Sequence, residues 1–307
     1  MKDYNCVVVL GPTAVGKTSI GAALAEKFNG EIISADSRQT YKKLDIGSGK
    51  DLDEYIMNGK QIPCHLIDIV ELPAEYNVYN YQHDFYDAFN DVINRKKLPV
   101  IVGGTGMYLD AVIRGYELVE LPENKILHQQ LEETPLEILA KRLIELQPDL
   151  HTLCDLKEKN RVIKALEIIE AKKNGYETTA SVRPEIKPLI IGTTLPRPIL
   201  WDNIAIRLKE RLEHGMLDEV LNIHNSGISW ERLEKLGLEY RYCSFYLQKK
   251  ISKLDLYEKL FIAIRQFAKR QETWFRMMEK KGVKILWLEP LTKKERIEQA
   301  IKIVENA

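Results

Sequence analysis

Residues 11–18, Gly-Pro-Thr-Ala-Val-Gly-Lys-Thr, carry the most specific chemistry of the chain. Their pattern, G-x-x-x-x-G-K-[ST], wraps backbone around a phosphate. Gly11 and Gly16 let successive N–H groups converge on one anion, where a Cβ would obstruct the curl. Pro12, Thr13, Ala14 and Val15 complete the loop, Lys17 supplies a mobile point charge, and Thr18 offers a hydroxyl to Mg²⁺. A helix opening at this point adds its positive dipole end. The apolar run Cys6-Val-Val-Val-Leu10 precedes the motif, and Ile20–Phe28 reads as the helix that follows. The pattern predicts a bound phosphate or pyrophosphate.

Three further stretches could act beside it. Asp36, in Ser34-Ala-Asp-Ser-Arg-Gln39, sits where a second strand should end. It reads either as a general base or indirect Mg²⁺ holder, or as a turn-forming Asp that caps the next segment. Gly103-Gly-Thr-Gly106 reads as a flexible turn, or as close backbone approach to a substrate with Thr105 as hydrogen-bond donor. The third is a long helix. There Leu260, Ile264, Phe267, Gln271, Trp274 and Met278 share one side, while Arg265, Lys269 and Arg276 share the other. Residues 265–281 hold six cations and two anions, in a chain whose 45 Lys and Arg balance 45 Asp and Glu. Such a run is either a solvated face or a local track for nucleic acid. His65, His83, His128, His151, His214 and His224 show no metal-ligand spacing.

These residues need a frame. Short apolar runs at 6–10, 31–34, 65–70 and 99–102, with helical periodicity over 79–95, predict a parallel sheet covered on both faces. Gly103–Gly106 then falls at a strand's carboxyl end, where open α/β sheets hold ligands. From about 116 to 187 the texture turns helical, with helices expected over 131–146 and 159–173, split by Gln147-Pro-Asp-Leu-His151. A strand at 188–192, helices near 199–224 and 254–281, and a strand at 283–288 complete the frame. The expected class is α/β: a P-loop NTPase-like parallel sheet covered by helices over 1–115 and 188–307, with a small helical insertion over 116–187.

At 307 residues and 45% hydrophobic, the chain can bury one substantial core and a smaller second one. No stretch reaches the roughly 18 apolar residues that span a bilayer, and Met1-Lys-Asp-Tyr-Asn5 is too polar for a signal peptide. Cys6, Cys64, Cys154 and Cys243 form no C-x-x-C pair, so reduced, mostly buried thiols are expected. Overall neutrality argues against indiscriminate coating of nucleic acid. The expected location is the cytoplasm.

In combination the motifs resemble tRNA dimethylallyltransferases, the bacterial isopentenyl-tRNA transferases of the MiaA type. The resemblance covers most of the chain. It rests on Gly11–Thr18; Asp36-Ser-Arg-Gln39 with Tyr41 and Asp45-Ile-Gly47; His65-Leu-Ile-Asp68; Gly103-Gly-Thr-Gly-Met-Tyr108; Arg161 through Ala165-Leu-Glu167; and Arg265 through Arg276. It implies transfer of a dimethylallyl group from its pyrophosphate to N6 of adenosine 37, beside the anticodon. By this resemblance pyrophosphate occupies Gly11–Thr18, with Mg²⁺ held through Thr18. Asp36 accepts the amine proton, Thr105 positions the base, and Arg207 clamps the pyrophosphate. The tRNA anticodon stem-loop is then met by Asp36, Ser37, Arg38, Gln39 and Thr105; by Asn160, Arg161 and Lys164 of the insertion; and by Lys269, Arg270, Gln271, Thr273, Trp274 and Arg276. A monomer is expected.

The chain departs from the family pattern at Ser48 (usually Thr), at Gly49 and Asp51 (usually Ala and Pro), and at Cys64 (usually His). Further departures are Lys164 and Asn203 (both usually Arg) and Leu238-Glu-Tyr240 (usually Ile-Gly-Tyr). Three rival readings fit parts of the sequence: a P-loop kinase of a nucleoside or metabolite, a non-catalytic RNA-binding module, and a prenyltransferase acting on a free nucleotide.

Overall fold

The computed structural model describes residues 3–118, 124–147, 155–175 and 183–307. It divides into two compact units, residues 1–116 with 183–307, and residues 117–182.

In the first unit the strands are β1 (Cys6–Leu10), β2 (Gly30–Ala35), β3 (Ile56–Met57), β4 (Lys60–Gln61), β5 (Cys64–His65), β6 (Leu98–Gly103), β7 (Pro188–Gly192) and β8 (Leu286–Trp287). Six of them form one parallel sheet in the order β5-β2-β6-β1-β7-β8, while β3 and β4 pair as a short antiparallel ribbon. The alternation within β1 explains its unbroken apolar run. Cys6, Val8 and Leu10 face one layer, with helices Val78–Asn94 and Gly106–Ile113. Val7 and Val9 face the other, with helices Lys17–Lys27 and Lys293–Asn306. A third apolar cluster joins helices Arg197–Glu213, Met216–Asn225, Trp230–Leu236, Leu238–Leu247 and the first half of Lys253–Lys280. No helix among the described residues is long and apolar enough to cross a membrane.

Several expected elements are broken at identifiable residues. The helix expected over 199–224 divides at Gly215, whose φ of +97° belongs to the left-handed region. The strand expected over 65–70 stops after His65, because Leu66 and Asp68 take φ of +62° and +56°. Only Leu286–Trp287 of the expected 283–288 strand pairs. Helix Lys293–Asn306 and the two helices between 230 and 247 were not anticipated.

The second unit holds helices Lys125–Glu133, Leu136–Leu146 and Lys159–Lys173, packed through Leu131, Leu139, Leu143, Val162, Ile163 and Leu166. The single helix expected from 131 breaks at Thr134-Pro135, where a proline cannot continue the hydrogen-bond ladder. Residues 183–187, expected with this unit, belong to the first. There the Asn5 side chain donates to the Glu185 carbonyl (2.6 Å) and accepts from the Lys187 amide (2.8 Å). His151, Cys154 and most of the 147–151 break lie outside the described residues.

Candidate active site

The phosphate loop leaves β1 and enters helix Lys17–Lys27 through Gly16, at φ +81°. It is held from several sides. A Cβ on Gly11 would lie 2.1 Å from the Thr193 carbonyl oxygen, so the loop passes against the end of β7. Arg296, buried on helix Lys293–Asn306, donates through Nη1 to the Val15 carbonyl (2.6 Å) and to Thr193 Oγ1 (2.7 Å). Asn203 donates to the Ala14 carbonyl (3.2 Å). Gln271 accepts from the Thr13 amide (2.9 Å) and donates to the Gly104 carbonyl (2.8 Å), joining the two glycine-bearing loops. Lys17 turns its ammonium onto the Pro12 carbonyl (2.6 Å). Burial draws this ammonium down to about 8, Asp36 opposing the shift and Arg207 adding to it. An entering anion would oppose that shift and favour the charged form.

Across the loop, Asp36 follows the last residue of β2. Its Oδ1 accepts the amides of Arg38 (2.9 Å) and Gln39 (3.4 Å), and Oδ2 has no hydrogen-bond partner among the described residues. The two sequence readings of Asp36 therefore coexist. One oxygen builds the turn, and the carboxyl group still lines the same cavity as Lys17 and Thr18. Thr105 accepts from the Ser37 amide (3.1 Å) and donates its own amide to the Ala35 carbonyl (3.1 Å), which fixes the corner bearing Asp36.

The cavity has a volume of about 520 Å³. Lys17, Thr18, Arg207 and Arg211 are among its polar lining residues, and Leu236, Leu238, Ile264 and Phe267 among its apolar ones. Tyr55 lines the cavity beside Thr18, and burial pushes its phenol up. The segment 45–51 is tied down by two devices. Glu219 accepts the amides of Asp45 (2.9 Å), Ile46 (2.6 Å) and Gly47 (3.1 Å) and the Tyr240 hydroxyl (2.9 Å). Buried Lys50 donates to the Tyr41 carbonyl (2.6 Å), Asp45 (2.8 Å) and Asp68. Segment 45–51 in turn presents the Gly49 carbonyl to Arg207 and the Gly47 carbonyl to Arg211, each at 3.4 Å. An anionic head with a short apolar tail suits such a space.

The chain matches a family model described as IPP transferase over residues 39–278 and one described as isopentenyl transferase over residues 4–64. The chain belongs to the IPP transferase family. It is 52% identical over 289 residues to tRNA dimethylallyltransferase 2 of Treponema denticola, covering 93% of this chain and 96% of that one. It is 49% identical over 285 residues to tRNA dimethylallyltransferase 1 of Syntrophus aciditrophicus, covering 93% of each. Among solved structures, the full-length tRNA isopentenylpyrophosphate transferase of Bacillus halodurans superposes with a TM-score of 0.71 at 29% identity, covering 99% of this chain and 96% of that one. These similarities favour a prenyltransferase over the kinase that the phosphate loop alone left open.

In this family member the first unit brings Thr13, Lys17, Thr18, Asp36, Thr105 and Arg207 around one cavity, while Ala14, Val15 and Gly16 line the adjoining groove and Gly11 and Pro12 line neither. Ser37, Arg38, Gln39 and Arg270 line the cavity too. Gln39 is engaged internally, donating to the Gly49 carbonyl (3.0 Å) and accepting from Ser34 (3.1 Å). Gln271 is buried, its carboxamide committed to the two loops. Lys269, Thr273 and Arg276 are exposed, Arg276 donating to Thr273 Oγ1 (3.0 Å). Trp274 packs against Gly106, its indole N–H without a hydrogen-bond partner. Asn160, Arg161 and Lys164 are exposed on the second unit's helix Lys159–Lys173.

Sequence reasoning missed Arg211, Glu239, Tyr55 and Arg296. Arg211 had a signal, one helical turn beyond Arg207. Arg296, 281 residues from the carbonyl it holds, had none.

Proposed function

We propose that the chain transfers a dimethylallyl group from dimethylallyl pyrophosphate to N6 of adenosine 37 in the tRNA anticodon stem-loop, acting as a cytoplasmic monomer. The observation that carries this reading is the cavity itself, which gathers cationic side chains, apolar side chains and the Asp36 carboxylate around one space.

The diphosphate lies against the loop amides, Lys17 and Arg207, where preorganised positive charge stabilises the anion that develops as the allylic C–O bond breaks. The adenine amine is a weak nucleophile, because its lone pair is delocalised into the ring. As N6 bonds to the allylic carbon, Asp36 takes one N6 proton and the diphosphate departs with the C–O electron pair. The adenine leaves its stack to reach the cavity, held at its edge by Thr105 and the Ser37–Gln39 turn. Arg270, which lines the cavity, and Lys269, Thr273, Trp274 and Arg276 of the same helix receive phosphates and unstacked loop bases, as do Asn160, Arg161 and Lys164 of the second unit.

A Mg²⁺ ion fits the donor set. Among the described residues no cluster of three His, Cys, Asp or Glu offers an all-protein cage. Thr18 supplies a hydroxyl oxygen in the phosphate loop, and Mg²⁺ characteristically combines one or two protein oxygens with substrate phosphates. Held through Thr18, the ion would supply charge neutralisation to the leaving diphosphate.

Incubation with labelled dimethylallyl pyrophosphate and unmodified tRNA, beside parallel reactions with AMP and with ATP, tests the reading. Label in tRNA at residue 37 is expected. Label in AMP alone, or transfer of the ATP γ-phosphate, would overturn it.

A further inference from the structure

Three cations, Lys17, Arg207 and Arg211, line both the cavity and the adjoining groove. The motifs account for the first two and leave Arg211 unexplained. We propose that Arg211 binds the diphosphate directly, alongside Arg207, and that the carboxylates of Glu239 and Asp51 hold these guanidiniums until phosphate oxygens displace them. This rests on reading the cradle as a diphosphate site.

Arg211 follows Arg207 by four residues on helix Arg197–Glu213, so the two side chains share a face. Only 14% of the Arg211 side chain is exposed. Its two protein contacts are long: the Gly47 carbonyl and Glu239 Oε1 both lie 3.4 Å from Nη1. Nε and Nη2 have no partner among the described residues. Guanidiniums bind carboxylates at about 2.7–2.9 Å when the pair is built to stay. A largely buried fork with loose contacts and open donors is arranged for a second anion.

Gly49 gives an independent reason. At φ +66° it accepts no side chain without strain, and a Cβ there would lie 1.7 Å from Arg211 Nη2 and 2.4 Å from Arg207 Nη2. The bare backbone is what lets both guanidiniums close over the same point. Arg207 reaches it while paired with Asp51. Burial, reinforced by the Arg207 charge, holds Arg211 below the ordinary guanidinium range. Burial also raises Glu239 above the ordinary carboxylate range. Both groups are thus poorly solvated, and an arriving diphosphate relieves the cations. Gly49, Asp51 and Glu239, three of the departures seen in the sequence, meet at these two side chains.

The test titrates inorganic pyrophosphate with Mg²⁺ into the full chain and into Arg211→Met and Glu239→Gln. Michaelis constants are measured for dimethylallyl pyrophosphate and for tRNA. Arg211→Met is expected to weaken pyrophosphate by about tenfold and to raise the donor KM by a similar factor, without a matching rise in the tRNA KM. Glu239→Gln is expected to tighten pyrophosphate by about threefold, because its displacement no longer opposes binding. Arg211→Lys, which keeps the charge and loses the fork, should fall between, and it serves if Arg211→Met does not fold. Pyrophosphate affinity within twofold of the parent in both Arg211 variants would overturn the proposal. So would Glu239→Gln weakening it as much as Arg211→Met does, since the pair would then only fasten the helix. A parent chain that binds pyrophosphate but prenylates no tRNA would defeat the proposed function and leave this assignment to be judged on binding alone.

Discussion

Helix Lys253–Lys280 has two working faces, and they are built on opposite principles. Its inner face sends Gln271 into the phosphate loop, where both ends of one carboxamide are fixed at 2.9 and 2.8 Å. Its outer face carries Lys269, Thr273 and Arg276 in solvent, and their polar contacts stay within the helix. The inner face is part of a preorganised cradle, where each group is held before any ligand arrives and the low dielectric magnifies its effect. The outer face offers charge without fixed geometry, which suits a flexible polyanion and is screened by salt. In the proposed function, one element would serve positional chemistry on one side and diffuse attraction on the other.

That contrast can be broken by substitutions on either side. The largest effect is expected at Asp36, opposite the cradle. Asp36→Ala should lower single-turnover transfer by about a thousandfold while tRNA affinity changes less than about twofold. Comparable losses in both would mean that Asp36 only shapes the turn. Next comes the inner face itself. Gln271→Ala leaves the Thr13 amide and the Gly104 carbonyl unpartnered, so stability should drop by about 2 kcal/mol and the donor KM should rise about tenfold. Thermal melts and donor titrations read these separately.

A pH series sharpens the electrostatic side. Lys17 in the empty cradle releases its proton near 8, against 10.5 for an ordinary lysine. The folded chain thus holds fewer protons than the unfolded one between those values, and this group adds stability as pH rises through them. In the proposed function the diphosphate is held by the charged form. Donor affinity should therefore fall as pH rises above about 8, by at most about tenfold per unit, and Lys17→Met should flatten the dependence. The smallest effect belongs to the outer face. Lys269→Ala with Arg276→Ala should weaken tRNA binding about fivefold at moderate salt and reduce the log–log salt slope by about 1.4, with the donor KM unmoved. An unchanged slope would make that face ordinary solvated surface.

The legibility of the molecule follows the same division. Local patterns were readable, because a phosphate loop, a short apolar strand run and a period-3.6 helix are written in adjacent residues. The parallel sheet and the positions of Asp36 and Thr105 at strand ends followed from that. The interruptions at Pro135 and Gly215 were also local signals, there to be weighed more heavily. What stayed hidden was assembled from distance. Arg296 beneath the phosphate loop, Glu219 capping the amides of 45–47, and Glu239 against Arg211 each depend on how helices pack, and a lone charged residue in a helix does not announce a buried partner. Gln271 shows the limit from the other side. Its place on the apolar stripe was visible, but not the two loops it would join.

The central claim is that a fixed diphosphate cradle faces an exocyclic adenine amine. Single-turnover transfer from labelled dimethylallyl pyrophosphate to an anticodon stem-loop bearing adenosine at position 37, compared with the same stem-loop bearing inosine there, tests it most directly. Label should enter the adenosine stem-loop and none the inosine one, whose base has no amine to attack with. Equal labelling of both, or labelling of neither while pyrophosphate is still released, would contradict it.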